Sequence, residues 1–515
     1  MLDLSIFINK ILLKVKRINK PLLFYQIKGG GQYSMVKKFC FVFTNHGLQI
    51  MVCIYAVWLV GFIKLMDDAF EVLICGSPLS VSFALRLNDK PCFGWFMPFV
   101  KVNFVCYNYR RIFFIFIGKS MSLTNPTLVL NCGSSSIKYA LISEDGSTRI
   151  EGLAEALGNP DARIKHKNLD GSKVEINIPN SGAHTEALQI ILGELIAEHK
   201  PVAVGHRVVH GGDKFKSATV ITPEVLATIE ELASLAPLHN PANASGIKAI
   251  NAIYPDLPQV AIFDTAFHQT MPAHAYRYAI PKELYTEHQI RRYGFHGTSH
   301  NYVSNRANTL SGQEGKTGWL VAHLGNGCSA TAVYDGQSLD TSMGLTPLEG
   351  LMMGTRSGDI DPSIHLHLHR TLGLSIQEID TLLNKKSGLL GVSGVSNDMR
   401  NLEQADKEGN ADATLALDMF AYRVAKYLLS LTAGLPVLTG IAFTGGIGEN
   451  GADMRAKIVS HLKHLGVQID TAKNAELSRG AEGSFHAEGS AVELWVVPTD
   501  EEFQIASESR AVLGL

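Results

Sequence analysis

The sequence contains one strand–turn–strand pattern twice, and this repeat constrains the fold more than any other feature. In the first copy, Leu128 to Leu130 predicts a buried strand, Gly133 to Ser136 a tight turn, and alternating apolar residues from Ile137 a returning strand. About 190 residues later, Trp319 to Ala322 begins a second copy, which turns at His323 to Gly327. Two such copies predict two related half-domains with a phosphorylated ligand between them.

The turn of the first copy has the composition of a phosphate-binding loop. Its backbone N–H groups and the hydroxyls of Ser134, Ser135 and Ser136 can donate to one anion, and Lys138 adds a positive charge. The chain has no G-x-x-x-x-G-K-[ST] motif, so this is not a Walker-type loop. Taken alone, the stretch fits a serine-rich hairpin turn with a surface lysine better, because turn residues are common.

Charge divides the chain at Met121. Residues 1–120 contain 15 of the 46 lysines and arginines but only 5 of the 48 acidic residues, whereas residues 121–515 contain 31 and 43. Five of the seven cysteines also precede Met121. The acidic part keeps Cys132 and Cys328, too few for a disulfide framework, and has no basic stripe for nucleic acid. We expect a reducing compartment and no nucleic-acid partner.

The first 120 residues predict no clear fold. They lack regular periodicity, and the uncharged run from Gly47 to Ile63 is at the short end of what spans a bilayer. Our preferred interpretation is that translation begins at Met121 and that the preceding residues come from a start site placed too early. A membrane anchor is the alternative.

Charged side chains follow two predicted strands in the acidic part. Arg207 ends the strand that begins at Val202, and Asp264 follows the strand Val260 to Phe263. The carboxyl ends of strands in open α/β sheets are where ligands bind. His296, in the loop Ile290 to Ser299, and Arg356, in a long glycine-rich loop, are further candidates.

A glycine motif near the C-terminus allows two interpretations. Residues 446–451 satisfy G-x-G-x-x-G after a predicted strand, and Asp470 follows at about the spacing of a dinucleotide fingerprint. Too few residues remain for a run of βαβ units, so a glycine turn that brings a helix N-terminus to a nucleotide phosphate is the better interpretation. Further on, acidic residues that include Glu501 follow a strand and suit Mg²⁺.

Together these motifs resemble the acetate kinase (acetokinase) family. They occur in the family's order over essentially all of residues 121–515, and they read NCGSSSIK, GHRVVHGG, PLHNP, FDTAFHQTMP, RRYGFHGTSH, HLGNG, DTSMGLTPLEGLMMGTRSGDIDP, FTGGIGEN and PTDEE. Nothing in residues 1–120 resembles the family.

The resemblance implies an α/β fold of two ribonuclease-H-like (actin-like ATPase) domains with a nucleotide cleft between them, preceded here by an extension of uncertain structure. The implied boundaries are 121–266 for the first domain, to which 502–515 return, and 267–501 for the second. It also implies a cytoplasmic homodimer with no membrane role for 121–515. The implied activity is reversible phosphorylation of acetate to acetyl phosphate, with ATP/ADP as co-substrate and Mg²⁺, or alternatively Mn²⁺, as the metal.

The resemblance also implies roles for individual residues. The implied metal ligands are Asn131 and Glu501, and the implied catalytic residues are Asp264, His296, Arg356 and Arg207, of which Arg207 also binds substrate. The implied nucleotide contacts are Lys138, His323, Leu324, Gly325, Asn326, Gly327, Asp398, Met399, Arg400, Gly446, Ile447, Gly448, Glu449 and Asn450. The implied apolar pocket for the acetate methyl is Val209, Leu238, Phe295 and Pro347. Met399 departs from the aromatic residue of many relatives, which weakens the expected stacking on adenine.

Three alternatives stay open at this stage. A propionate or other short-chain fatty acid kinase would differ from an acetate kinase only in the pocket that holds the additional methylene groups of its substrate. A non-kinase actin-like ATPase would share the glycine loops but gives no reason for two arginines, a histidine and an apolar pocket. An NAD enzyme would use Gly446 to Gly451.

Overall fold

The computed structural model describes residues 123–515, apart from 180–182 and 238, and the backbone of six short strands before them. The chain divides into two compact units, Met1–Ser122 and Leu123–Leu515. The strands of the first unit are Lys38–Asn45 (β1), Leu48–Tyr55 (β2), Glu71–Ser77 (β3), Ser80–Arg86 (β4), Val105–Cys106 (β5) and Ile112–Phe113 (β6). They pair as three separate antiparallel ladders, β1 with β2, β3 with β4 and β5 with β6.

Part of the uncharged run 47–63 is therefore a strand, β2. The rest of that run lies outside the described residues, as does Met121. Across the described part of the chain, no helix combines the length and apolar character needed to cross a membrane. The two interpretations of residues 1–120 stay predictions.

The second unit contains two mixed sheets, and the first has eight strands. They are Thr127–Cys132 (β7), Ile137–Ile142 (β8), Arg149–Glu155 (β9), Arg163–Lys167 (β10), Lys173–Asn177 (β11), Ala203–Val208 (β12), Thr219–Val220 (β13) and Gln259–Phe263 (β14). Their order is β11-β10-β9-β8-β7-β12-β14-β13. Strand β12 runs parallel to both β7 and β14, and β7–β8–β9 form an antiparallel meander.

The second sheet has six strands and repeats the centre of the first. They are Gly318–Leu324 (β15), Cys328–Tyr334 (β16), Gln337–Thr341 (β17), Gly440–Thr444 (β18), Gly483–Ser484 (β19) and Glu493–Val496 (β20), in the order β17-β16-β15-β18-β20-β19. Like β9-β8-β7-β12-β14, the series β17-β16-β15-β18-β20 is a three-stranded meander followed by two parallel strands. The predicted α/β class and both predicted hairpins are confirmed, whereas the domain boundaries stay a prediction.

Helices cover these sheets. They are His184–Ile190 (α1), Pro223–Glu231 (α2), Asn240–Ile253 (α3), Ala273–Tyr276 (α4), Lys282–Thr286 (α5), Gly297–Ser311 (α6), Ser363–Leu372 (α7), Ile376–Lys385 (α8), Gly388–Ser393 (α9), Met399–Lys407 (α10), Ala411–Leu431 (α11), Gly445–Asn450 (α12), Ala452–Ser460 (α13), Thr471–Glu476 (α14) and Glu501–Leu513 (α15). Helix α11 buries its apolar face in the core of the second sheet.

The last helix, α15, packs on the first sheet and thereby delivers Glu501 to it. Ile505 packs with Val129 of β7 and Ile262 of β14. A Cβ at Gly205 of β12 would lie 2.5 Å from Ser509 Oγ, so only glycine allows this close approach. Because Glu501 opens this helix, its carboxylate lies near the carboxyl ends of the central strands.

Candidate active site

An ion pair joins the ends of two adjacent parallel strands. Arg207, near the end of β12, donates from Nε to Asp264 Oδ1 at 2.9 Å and from Nη2 to Oδ2 at 2.5 Å. Asp264 follows β14 directly and is only 1% exposed. Burial alone would lower the pKa of Arg207, but the charges of Asp264 and Glu501 outweigh it and raise the pKa. Arg207 is therefore a fixed cation, 22% exposed, at the sheet edge.

His296 is held next to this pair by the backbone. It has a left-handed conformation (φ 57°) and immediately precedes α6. The following Gly297 donates its N–H to the carbonyl of Asp264 at 2.9 Å, and a Cβ there would lie 2.2 Å from that oxygen. Only glycine permits the loop to approach Asp264 so closely. Burial lowers the pKa of His296 well below its usual value, so the ring is neutral.

A cavity of about 120 Å³ collects most of the predicted catalytic and substrate residues. Its walls include Arg207, Val209, Asp264, Phe295, His296, Pro347 and Arg356, together with Asn131, Cys132, Gly133, His239 and Asn243. The first seven come from four separate stretches of sequence. The fourth predicted pocket residue, Leu238, lies outside the described residues.

Arg356 differs from Arg207 because it has no ion-pair partner among the described residues. Its nearest polar contact is Met353 Sδ, 3.9 Å from Nη1, and burial lowers its pKa. A Cβ at Gly327 would lie 3.7 Å from Arg356 Nη1 and 3.6 Å from His296 Nε2. The guanidinium and the imidazole thus face the glycine turn of the second hairpin. A half-buried cation with no ion-pair partner among the described residues suits an anionic ligand.

A neighbouring cavity of about 150 Å³ contains the two predicted metal ligands. Asn131, at the end of β7, and Glu501 both line it, and Asn131 and Arg207 also line the first cavity. No hydrogen bond from another described residue reaches the Asn131 side chain. Burial raises the pKa of Glu501, whose Oε2 lies 3.9 Å from Arg207 Nε. An amide and a carboxylate oxygen facing one cavity fit Mg²⁺.

Lys138 lines the same cavity but is paired. Its ammonium contacts the Glu502 carboxylate next to Glu501. The start of α15 is fixed separately, because Arg149 donates to Asp500 at 3.0 and 2.6 Å. The predicted role of Lys138 in phosphate binding requires it to leave or share Glu502.

The loops predicted to hold the nucleotide meet at the end of the second sheet. Asn326 Oδ1 accepts from Asn397 Nδ2 at 3.0 Å, which brings the turn His323 to Gly327 to the residues before Asp398. A Cβ at Gly445 would lie 2.7 Å from the carbonyl of Leu324, so α12 begins against the same turn. The structure therefore brings together the three predicted nucleotide segments, His323 to Gly327, Asp398 to Arg400 and Gly446 to Asn450.

Some of these side chains are already committed to other contacts. Asp398 pairs with Arg400 at 2.6 Å, and Met399 is 6% exposed within the apolar core of the second sheet. Glu449 Oε1 accepts from the N–H groups of Gly445 at 3.0 Å and Thr499 at 3.2 Å. Glu449 thus holds the start of α12 next to the segment that leads to Glu501.

The glycine motif differs from the expected turn. Residues Gly445–Asn450 are themselves a short helix, α12, and α13 follows from Ala452. Asp470 accepts from the N–H groups of Ala472 and Lys473 at 3.1 Å and caps α14. Because that carboxylate is used locally, the dinucleotide interpretation loses its ribose partner.

Comparison with known proteins identifies the family. The sequence profile described as the acetokinase family matches residues 126–507. The chain belongs to the acetokinase family. Two curated members named acetate kinase, from Stutzerimonas stutzeri and Pseudomonas aeruginosa, are 54% and 53% identical to it; each match covers 75% of this chain and 98% of the relative.

Comparison with solved structures agrees with this assignment. The acetate kinase of Porphyromonas gingivalis is 46% identical with a TM-score of 0.72, and the match covers 76% of this chain and 100% of that one. A propionate kinase from Francisella tularensis is 47% identical with a TM-score of 0.70, covering 75% and 99%. The predicted family and fold are therefore confirmed.

Two residues of the first cavity were missed by the sequence interpretation. His239 lines this cavity. Burial lowers the pKa of its ring, and the positive charge of Arg207 lowers it further. Asn243 accepts from the N–H of Val209 at 3.2 Å and donates to the carbonyl of Cys132 at 2.8 Å. His239 lies within the motif PLHNP, which offered a signal, whereas Asn243 has none because its partners, Val209 and Cys132, lie in distant parts of the sequence.

Proposed function

We propose that this acetokinase catalyses the reversible, ATP-dependent phosphorylation of acetate to acetyl phosphate by direct in-line transfer. The observation that carries the proposal is one small cavity lined by two arginines, a neutral histidine and three apolar side chains. Relatives more than half identical over nearly their whole length are named acetate kinase.

The chemistry of the reaction matches these side chains. Acetate is ionised at neutral pH, so it needs no strong base to become a nucleophile. The barrier is the approach of one anion to a polyanionic phosphate, and catalysis is positioning plus charge neutralisation. Two guanidinium groups suit the carboxylate and the equatorial oxygens of the transferred group.

Each residue then has a distinct role. Arg207 binds the acetate carboxylate, and Asp264 orients Arg207 through the paired hydrogen bonds. Arg356 and His296 stabilise the phosphoryl group in the transition state. The methyl group lies against Val209, Phe295, Pro347 and, by family resemblance, Leu238. Because the cavity is small, closure around acetate excludes water that would otherwise hydrolyse ATP.

The metal and nucleotide assignments follow the same pattern. Asn131 and Glu501 would hold Mg²⁺, or Mn²⁺, which when bound neutralises charge on the phosphates. We infer that Lys138, the turn His323 to Gly327 and α12 contact the ATP phosphates, with Asp398 to Arg400 near the adenosine. Met399 is buried beneath this region, so we expect packing rather than aromatic stacking to support adenine.

Propionate is the second candidate substrate, favoured by the propionate kinase among the similar structures. One methylene group changes binding by only about 1–3 kcal/mol, so an enzyme of this kind discriminates weakly. The apolar wall of the cavity fits acetate, and the substrate comparison below decides whether propionate is preferred.

We also propose that the protein is a homodimer and works in the cytoplasm. Helix α7 buries none of its residues, and Leu366 and Leu372 on it are 48% and 64% exposed, followed by Ile376 at 79%. A second copy covering this face would remove that apolar area from water. Cys132 and Cys328 are both unpaired and buried, which suits a reducing compartment. Sedimentation of wild type and of Leu372→Glu tests the dimer, and a monomeric wild type contradicts it.

The first experiment supplies Mg²⁺-ATP with acetate, propionate, butyrate or no acid and traps the acyl phosphate with hydroxylamine. We expect the highest kcat/KM with acetate, both for the full chain and for residues 121–515 alone. A preference for propionate would retain the mechanism and change the substrate. ATP hydrolysis that is independent of any acid, in both proteins, would contradict the kinase and favour an actin-like ATPase.

A further inference from the structure

A buried serine hydroxyl connects the catalytic histidine to a second histidine. Ser329, at the start of β16, lies with its Oγ 2.8 Å from Nδ1 of His296 and 2.7 Å from Nε2 of His300. Ser329 and His300 are both 0% exposed. No further hydrogen bond to this hydroxyl, from a side chain or from the backbone, is found among the described residues. These two rings therefore decide the direction in which the Ser329 hydroxyl donates its hydrogen.

The hydroxyl has one hydrogen and can accept two hydrogen bonds, but if it accepted from both rings its own buried hydrogen would have no acceptor among the described residues. Two arrangements remain, in each of which it donates to one ring and accepts from the other. Burial lowers the pKa of both His296 and His300 well below the usual value, and each neutral ring carries one hydrogen. In one arrangement Ser329 donates to His296 Nδ1 and accepts from His300 Nε2. In the other it accepts from His296 Nδ1 and donates to His300 Nε2.

The far nitrogen of His300 distinguishes the two. His300 Nδ1 is buried and has no hydrogen-bond partner among the described residues. In the first arrangement this nitrogen is a lone pair, whereas in the second it carries a hydrogen that has no acceptor. A buried N–H group without an acceptor is rarer in folded proteins than a buried acceptor without a donor. The first arrangement is therefore favoured.

The nearby His268 follows the same arrangement. Its Nε2 lies 3.0 Å from the carbonyl of Phe295, which can only accept, so Nε2 carries the hydrogen. Its Nδ1, 2.8 Å from Ser338 Oγ, must then accept from that hydroxyl. A serine donating to Nδ1 of a buried histidine thus occurs twice within this region.

We propose that Ser329, itself fixed by His300, is a positioning residue that holds His296 with its hydrogen on Nε2. That nitrogen faces the turn at Gly327, beside Arg356. A hydrogen on Nε2 can be donated to a phosphoryl oxygen, whereas a lone pair there would repel it. The catalytic consequence rests on the proposed function, but the position of the hydrogen does not.

The first test is direct observation of the hydrogens in the full chain. Long-range ¹H–¹⁵N spectra of histidine-labelled protein distinguish Nε2–H from Nδ1–H, and the variant His296→Asn identifies the His296 signals. We expect Nε2–H for both His296 and His300. If the spectra show the hydrogen of His296 on Nδ1, the proposal is overturned whatever the activity. If they show it on Nε2 but the protein has no acetate kinase activity, only the proposed function is overturned.

The second test is a double-mutant cycle. We expect Ser329→Ala to lower kcat about 10- to 100-fold with KM values within about twofold, because the ring loses its orienting partner. In a His296→Ala background the same substitution should change kcat by less than about twofold, since Ser329 acts through that ring. If Ser329→Ala lowers kcat as much in the His296→Ala background as in wild type, Ser329 has a structural role and the proposal is overturned.

The matched control is Ser338→Ala, which removes the same kind of bond from His268. It should lower the melting temperature about as much as Ser329→Ala while turnover stays within about twofold of wild type. If Ser329→Ala does not fold, Ser329→Cys keeps the side-chain volume with a weaker donor, and an intermediate kcat is expected. Full activity in a folded Ser329→Cys protein with His296 hydrogenated on Nδ1 would also overturn the proposal.

Discussion

Arg207 and Asp264 form a two-point ion pair across the ends of neighbouring parallel strands, with N–O distances of 2.9 and 2.5 Å. The carboxylate is nearly inaccessible, and the arginine faces two adjoining cavities. One charged group is thus held rigidly where the cavity proposed for the substrate meets the cavity proposed for the metal. Asp264 has the geometry of an orienting group and needs no role as a base.

Asp264→Asn should lower kcat/KM for acetate about 100-fold, because a small displacement of Arg207 misplaces the nucleophile. Steady-state kinetics with varied acetate measure this. Glu482→Gln is a control, since it breaks a similar two-point pair with the partly exposed Arg306 outside both cavities. Equal activity of Asp264→Asn and wild type would exclude the orienting role.

Arg356→Ala should lower kcat about 10³-fold and leave the melting temperature nearly unchanged. The reason is that Arg356 has no ion pair to lose among the described residues, while its charge faces the glycine turn at Gly327. Turnover and thermal unfolding are measured together. Arg292→Ala provides the contrast, because Arg292 pairs with Glu349 and donates to backbone carbonyls, so its loss should reduce stability. Near-normal turnover in Arg356→Ala would contradict its assignment.

Val209→Ala should shift the ratio of kcat/KM for propionate over acetate upward about tenfold, because it enlarges the cavity by two methylene equivalents. Competition between the two acids for a limiting amount of ATP measures the ratio. Val208→Ala is the matched control: Val208 packs in a core cluster with Phe263 and does not line the cavity. If both variants shift the ratio equally, the cavity is not where the acid binds.

Glu501→Gln should raise the Mg²⁺ concentration needed for half-maximal activity at least about tenfold, since an amide is a weaker ligand than a carboxylate. Titration of Mg²⁺ at saturating acetate measures this. Glu508→Gln, on the same helix but bonded to Asn301 and Gln504, should retain the wild-type requirement. An unchanged requirement in Glu501→Gln would place the metal elsewhere.

Acid should destabilise this protein through its buried histidines. Burial lowers the pKa of His206, His210, His268 and His323 to about 4. Below about pH 6.5 the unfolded histidines bind protons while the folded ones stay neutral, so the free energy of unfolding falls as the pH drops towards 4.

Each such histidine contributes a slope of about 1.4 kcal/mol per pH unit within that window. Urea unfolding of His206→Asn between pH 7 and 5 should show a smaller slope than wild type. The control is His367→Asn, which makes the same substitution at an exposed position on α7. If the free energy of unfolding changes more steeply with pH in His206→Asn than in wild type, the prediction is contradicted.

Local sequence patterns predicted much of what the structure contains. Alternating apolar residues and glycine turns were sufficient for both hairpins, β7–β8 and β15–β16, because strand periodicity is a property of neighbouring residues. The same reasoning placed Asp264 directly after a strand. It was wrong for Gly445–Asn450, which is a helix, because packing against Leu324 overrides the low helix propensity of glycine.

Local patterns were sufficient for the two repeated hairpins and the charged residues at strand ends, and the long motifs were sufficient for the family. Which of these residues meet depends on the packing of the folded chain. Asn131 and Glu501 are about 370 residues apart yet line one cavity, and Ser329 of β16 contacts both His296, just before α6, and His300 on α6. The physical reason is that strand register and helix packing are long-range: they depend on which surfaces bury each other, and no local period records that.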